Sequence, residues 1–142
     1  MSGSYKQIDH TADIAFEVSG ESFEELFKAS SEAWLTSVID ETTFNQGKFK
    51  KIKLTSFSKE QLLVDFLSEL NYYLLTKKWL CYSVDDLSIG KKEDDWFLSC
   101  SLKGNKLNSV VQLKQEIKAI TFHQMNIIKK RNLFSTLLVF DI

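Results

Sequence analysis

The sequence predicts an α+β fold, a two-layer sandwich in which two helices pack on a mostly antiparallel β-sheet. Two segments with helical periodicity each begin with a capping sequence, and segments of alternating apolar and polar residues lie before, between and after them. Short polar turns separate the later alternating segments, a spacing that is typical of antiparallel pairing. Because each helix has only one apolar face, that face needs a sheet to cover.

The two predicted helices span residues 22–40 and 58–79. Ser22 and Ser58 are each followed three residues later by Glu or Gln, the spacing of a capping box. Apolar side chains then recur at steps of three, four and seven residues, which gives each helix one face for the core. They are Phe23, Leu26, Phe27, Ala33, Trp34 and Val38 in the first helix and Leu62, Leu63, Phe66, Leu67, Leu70, Tyr73 and Leu74 in the second.

The alternating segments are the predicted strands. They cover residues 15–19, 48–56, 80–89, 95–102, 116–123, 125–130 and 133–141. Two polar segments, GKKEDD at 90–95 and KRN at 130–132, are the predicted hairpin turns. A length of 142 residues without a linker or an internal repeat indicates one domain over residues 1–142.

The charge balance argues against a dedicated nucleic-acid binder. Eighteen basic and nineteen acidic residues leave a net charge of −1, whereas neutralisation of phosphates needs clustered lysine and arginine. A local patch could still contact a nucleoprotein partner. Lys48, Lys50, Lys51 and Lys53 lie close together, but alternation puts neighbours on opposite faces of a strand, so we interpret them as the protection of a solvated edge strand.

The two cysteines, Cys81 and Cys100, match no metal or redox spacing and lie in apolar segments. We interpret them as small buried hydrophobic residues. No apolar run reaches the length of a membrane span, and the first nine residues, MSGSYKQID, contain no signal-peptide core. We therefore expect a cytoplasmic protein that does not enter a membrane.

The signatures of common enzyme classes are missing. The five glycines form neither a phosphate-binding loop nor a dinucleotide fingerprint, and neither G-x-S-x-G nor H-E-x-x-H occurs.

One polar cluster enters a predicted strand, in the segment IDHTADIAFEVSG at residues 8–20. Asp9 and Thr11 are adequately explained as turn residues that bond to nearby backbone. Asp13 is different, because it precedes Ile14 directly in the apolar part of the strand. A carboxylate screened from water needs a partner or a cation.

The other end of the sequence offers candidate partners, Asp141 and the α-carboxylate of Ile142. If strand pairing brings Asp141 close to Asp13, three anionic groups converge, and such an oxygen cluster favours Ca²⁺ or Mg²⁺ over zinc. A zinc site built from Asp9, His10 and His123 has no supporting spacing, and His123 alone is explained as a hydrogen-bonded residue at a strand end.

Five segments together resemble the archease family: DHTADIAF, SFEELFKAS, LLVDFLSELNYYLLT, EIKAITFHQM and the closing VFDI. The resemblance extends from about residue 5 to residue 142. It implies a small accessory protein of the GTP-dependent transfer-RNA-splicing ligase, which joins 3′-phosphate (or 2′,3′-cyclic phosphate) and 5′-hydroxyl RNA ends. Such proteins promote guanylylation of a ligase histidine and multiple turnover, and have no established catalytic activity of their own.

The resemblance also implies a metal site formed by Asp13, Asp141 and Ile142. Calcium is the ion expected first, with magnesium or manganese as alternatives. Further residues of the same motifs are expected to orient the metal-binding turn without contacting the ion themselves: Asp9, His10, Thr11 and His123. The partner expected is the ligase, with RNA met only indirectly through it.

Two other functions stay open. The first is a metal-dependent phosphoesterase or nucleotide-processing enzyme that uses Asp9, His10, Asp13 and His123. The second is a general folding chaperone, which would need exposed apolar patches, whereas two helix faces and a sheet account for most apolar residues.

Overall fold

A computed structural model of the chain describes residues 3–8, 13–40, 47–107, 113–122 and 125–142. Within them lie two helices, α1 (Phe23–Val38) and α2 (Lys59–Lys77), and eight strands. The strands are β1 (Ser4–Ile8), β2 (Asp13–Gly20), β3 (Lys48–Ser56), β4 (Trp79–Lys92), β5 (Asp95–Lys106), β6 (Ala119–Thr121), β7 (Ile128–Lys130) and β8 (Leu133–Asp141). Every strand pair is antiparallel, and the predicted α+β class is confirmed.

The strands divide into two sheets, a division that the sequence analysis did not predict. Five strands form one sheet in the order β1-β2-β8-β6, with β7 also paired to β8. The other sheet has three strands in the order β3-β5-β4, so the lysine-rich β3 is an edge strand, as interpreted. Both helices contact strands of both sheets and each other. The core lies between the helices and the two sheets.

The helices begin as predicted. The hydroxyl of Ser22 accepts from the backbone amide of Glu25 at 3.1 Å, and that of Ser58 accepts from the amide of Gln61 at 3.0 Å. The reciprocal bond of the first capping box is displaced by one residue, because the Glu25 carboxylate accepts from the amide of Glu21. Both apolar faces are buried as predicted, with Phe23 and Tyr73 only partly covered.

Several strand boundaries differ from the prediction. β1 was not predicted, because SYKQI is mostly polar and exposed and is held as an edge strand by pairing with β2. The predicted strand 116–123 is a strand only at Ala119–Thr121. β4 and β5 extend into the predicted turn, which narrows to residues 93–94, whereas the turn around Arg131 lies as predicted.

Cys81 and Cys100 are buried free thiols in β4 and β5, which agrees with their interpretation as small hydrophobic residues. Burial raises the pKa of each thiol to about 12, so both are protonated at neutral pH and poor nucleophiles. Among the described residues, neither helix has the length and apolar character needed to cross a membrane.

Candidate functional site

Strand pairing brings together two carboxylates that are 128 positions apart in the sequence, since Asp13 on β2 lies directly opposite Asp141 on β8. The register that produces this contact runs without a break from Asp13–Asp141 to Gly20–Phe134. Directly opposed residues of an antiparallel pair have Cβ atoms about 4.5–5.5 Å apart. Strand pairing therefore does bring Asp141 close to Asp13, as the predicted convergence of their carboxylates requires.

Both carboxylates lie on the face of the five-stranded sheet that points away from the core. Phe16 and Phe140 occupy alternate positions and are buried in the core, so Asp13 and Asp141 point the other way. On its other side Asp141 is paired with Ala119 of β6, whose small side chain leaves room beside the carboxylate. Asp141 is exposed, whereas one carboxylate oxygen of Asp13, Oδ1, is buried.

Two like charges in directly opposed positions destabilise a strand pair, by roughly the 0.2–1 kcal/mol that such pairs contribute. Within the described part of the chain, the Asp141 side chain has no hydrogen-bond or ion-pair partner, whereas Asp13 takes part in a further interaction. A bound cation would reverse the sign of the interaction. The arrangement of Asp13 and Asp141 is thus the kind that a hard divalent ion stabilises.

A buried asparagine supports this site from the core. The side-chain amide of Asn71 in α2 donates to the carbonyl of Ile117 at 2.8 Å, and its oxygen accepts from the indole N–H of Trp34 at 3.0 Å. The next residue, Lys118, donates its backbone N–H to the carbonyl of Asp141 at 2.8 Å. Sequence reasoning missed Asn71, although a polar residue beside an apolar helix stripe is the signal that could have identified it.

Thr121 adds an oxygen on the same face. It pairs with Val139, so by alternation it shares the face of Ala119 and Asp141. Its hydroxyl oxygen is buried and, among the described residues, has no hydrogen-bond partner. A hydroxyl in this position could bond to a water of a hydrated cation.

Four predicted supporting residues, Asp9, His10, Thr11 and His123, lie outside the described residues. Among those that are described, no three His, Cys, Asp or Glu side chains lie close enough to hold a metal ion. Two carboxylates with a main-chain oxygen of Ile142 are all-oxygen donors, which suits calcium or magnesium and leaves further ligand positions to water.

A groove of about 790 Å³ also lies on this sheet, between β1, β2, β8 and the segment before β7. Its charged residues are Lys6 and Glu17, which lie directly opposite each other. Their charges cancel, so the groove brings no anionic or cationic cluster comparable to the pair of aspartates.

Comparison with known proteins shows the same family along nearly the whole chain. The sequence profile of the Archease protein family (MTH1598/TM1083) matches residues 5–142. A protein of Archaeoglobus fulgidus named archease is 31% identical over 97% of this chain and 98% of its own length. An archease of Methanosarcina barkeri is 30% identical over 97% of this chain and 95% of its own length.

Two solved structures also resemble this chain over nearly its whole length. The solution structure of protein 1598 of Methanobacterium thermoautotrophicum superposes with a TM-score of 0.85 and 26% identity, and covers 98% of this chain and 99% of that one. The crystal structure of a Thermotoga maritima protein described as an archease and possible chaperone gives a TM-score of 0.63 at 24% identity, covering 96% of each chain. That second likeness concerns the fold alone.

Proposed function

The chain belongs to the archease family, and from this premise we propose that it is an accessory activator of the GTP-dependent RNA ligase that joins 3′-phosphate and 5′-hydroxyl ends. In this proposal it promotes guanylylation of the ligase and its multiple turnover, in the cytoplasm, and does not itself catalyse a reaction. The RNA substrate is held by the ligase. The relatives cover the chain almost from end to end, so the proposal concerns the whole chain.

The observation that carries the proposal is the direct opposition of Asp13 and Asp141 at one end of the β2–β8 ladder, in the interior of the five-stranded antiparallel sheet. Charged groups stabilise a reacting centre most effectively when the protein already holds them in the required position, so that they need not rearrange during the reaction. An activator of a nucleotidyl transfer therefore benefits from charges fixed in place. Both aspartates are fixed by the β2–β8 ladder, and Asp141 is exposed to a partner.

Asp13, Asp141 and a main-chain oxygen of Ile142 would hold the divalent cation, with calcium expected first and magnesium or manganese as alternatives. When bound, such an ion supplies positive charge that attracts the phosphates of a nucleotide. Asn71 and the Lys118 amide act as positioning groups, since they fix the main chain at Asp141 from the core side. Asp9, His10, Thr11 and His123 keep their proposed supporting role.

The test follows covalent guanylate on the purified cognate ligase over time, with GTP and Mn²⁺ or Mg²⁺, in the presence and absence of this protein. The variant Asp13→Asn removes one charge of the pair with little change in shape. The matched control is Glu17→Gln, a carboxylate on the same strand and face that lies opposite Leu137. Stimulation by wild type and by the control, but not by Asp13→Asn, is the expected result.

Other outcomes would change the proposal in defined ways. Equal stimulation by all three proteins would keep the ligase as partner and reduce Asp13 to a structural role. No stimulation by any of them would contradict the activator function. Turnover of a phosphate ester by the isolated protein, abolished by a chelator, would instead support the phosphoesterase that uses Asp9, His10, Asp13 and His123.

A further inference from the structure

The outer face of the three-stranded sheet carries a second cluster of charged and aromatic side chains, far from the aspartates in sequence. In β3 the residues of this face are Phe49, Lys51, Lys53 and Thr55, because Ile52 and Leu54 on the alternate positions pack into the core. Their partners on the central strand β5 are Lys103, Ser101, Ser99 and Phe97. Among the described residues, both helices pack on the opposite, apolar face of this sheet.

Three lysines are concentrated on this face. Lys51 and Lys53 are two positions apart on the edge strand, and Lys103 on β5 is the diagonal neighbour of Lys51. The spacings are about 7 Å. None of the three forms a salt bridge with a described residue. Two acidic residues share the face, Asp85 opposite Ser101 and Asp95 opposite Lys92. At the paired positions of these strands, four lysines therefore stand against two aspartates. A protein of net charge −1 therefore has a locally positive surface here.

Aromatic rings lie at both ends of the lysine cluster. Phe49 is 60% exposed, and the Lys103 ammonium lies 5.5 Å from its ring centre. Phe97 is 40% exposed and lies across Gly90 of β4, where any side chain would collide with the ring. The glycine thus leaves room for the Phe97 ring at this position. Six residues of β5 separate the two ends, about 20 Å.

From this arrangement we infer that the outer face of the β3-β5-β4 sheet binds single-stranded nucleic acid directly, with bases stacked on Phe49 and Phe97 and phosphates on Lys51, Lys53 and Lys103. Exposed rings beside cations on a β-sheet are one way in which proteins bind single strands. A face 20 Å long suits about four nucleotides, the low end for such sites. Paired bases would have no open face for stacking, so a duplex fits poorly.

This inference departs from the expectation that RNA is met only through the ligase, which rested on the overall charge and on resemblance. The lysine pattern in β3 alone was uninformative, because the third lysine and the second ring come from β5. The inference does not depend on the proposed function, since guanylylation of the ligase can be measured with no RNA present. Failure of one experiment therefore leaves the other intact.

The test is fluorescence anisotropy with labelled U12, A12 and dT12 strands and a 12-base-pair duplex, titrated with the full chain at several salt concentrations. We expect binding of all three single strands, with log K falling against log salt at a slope of about −2, because three phosphates contribute about 0.7 each. The variants Lys51→Ala and Lys53→Ala should each reduce the slope by about 0.7. Phe97→Leu, which still covers Gly90, should weaken binding about tenfold.

The control variants are taken from a different part of the surface, the two helices. Lys28→Ala and Tyr72→Leu remove an exposed lysine and an exposed aromatic side chain from the two helices and should bind as wild type. Absence of binding at low salt, or equal weakening by the control variants, would overturn the inference. So would tighter binding of the duplex, or binding to anionic vesicles without binding to oligonucleotides, which would assign this face to a lipid surface.

Discussion

The side-chain amide of Asn71 donates a 2.8 Å hydrogen bond to the carbonyl of Ile117, one residue before the amide that bonds to Asp141. A buried polar group of α2 is thereby connected through two hydrogen bonds to a residue of the candidate metal site. Asn71 also accepts from the indole of Trp34, so the same side chain joins both helices to this segment. Asn71 therefore connects the helical core to the main chain beside Asp141.

Replacement of Asn71 by leucine should lower both stability and metal affinity. The indole N–H of Trp34 and the carbonyl of Ile117 would be left buried without partners, at about 1–3 kcal/mol each, so we expect a loss of about 2–6 kcal/mol in the free energy of unfolding. Urea unfolding measures it. The exposed neighbour Tyr72 replaced by leucine should change stability by less than about 0.5 kcal/mol. Equal stability of the Asn71 variant and wild type would show that this network is dispensable.

A polypeptide produced so that it ends at Ile142 carries a main-chain carboxylate there, and this gives a second prediction. Deletion of Ile142 moves that carboxylate onto Asp141, a shift of about 3.3 Å along the strand. We expect calcium affinity, measured by isothermal titration calorimetry, to fall by roughly tenfold or more. The control is Ile142→Ala, which keeps the carboxylate in place and removes a partly exposed side chain. Unchanged affinity after the deletion would remove Ile142 from the site.

The two thiols make the stability of the protein sensitive to alkaline pH. Burial raises the pKa of Cys81 and of Cys100 to about 12, whereas in the unfolded chain a thiol titrates near 8.5. Between these values the unfolded chain loses the protons that the folded chain keeps, so stability is unaffected below about pH 8.5 and falls as pH rises towards 12.

The measurement is urea unfolding between about pH 8 and pH 10.5, comparing wild type with a variant in which Cys81 and Cys100 are both alanine. The decline of unfolding free energy with pH should be shallower in the variant. In addition, a thiol reagent at pH 8 should react with the native protein far more slowly than with the urea-unfolded chain. Parallel pH profiles together with rapid native labelling would contradict the buried, protonated state of these thiols.

Local signals in the sequence predicted the local structure well. Both helix starts, both apolar helix faces and the hairpin turn before β8 follow from residues within a few positions of each other. The division into two sheets and the strand β1 depend on pairing between distant segments, which hydrophobic alternation does not encode.

The same distinction applies to the site. A carboxylate at the start of an apolar strand drew attention to Asp13, but its position opposite Asp141 results from the register of β2 with β8. Asn71 escaped notice because its two partners are 37 and 46 residues away. For the outer face of the three-stranded sheet, the pairing of β3 with β5 is what brings Lys103 beside Phe49.

The central claim is that the opposed carboxylates of Asp13 and Asp141 form a cation site, and calcium-dependent stability of Asp141→Asn tests it most directly. Without metal, this variant should be as stable as wild type or more stable by about 0.2–1 kcal/mol, because the repulsion between the pair is removed. At a calcium concentration of 100 times the dissociation constant, wild type should gain about 2.7 kcal/mol in unfolding free energy and the variant should gain nothing. Glu17→Gln, the matched control, should respond as wild type does. Equal stabilisation of all three proteins by calcium, or of none, would contradict the claim.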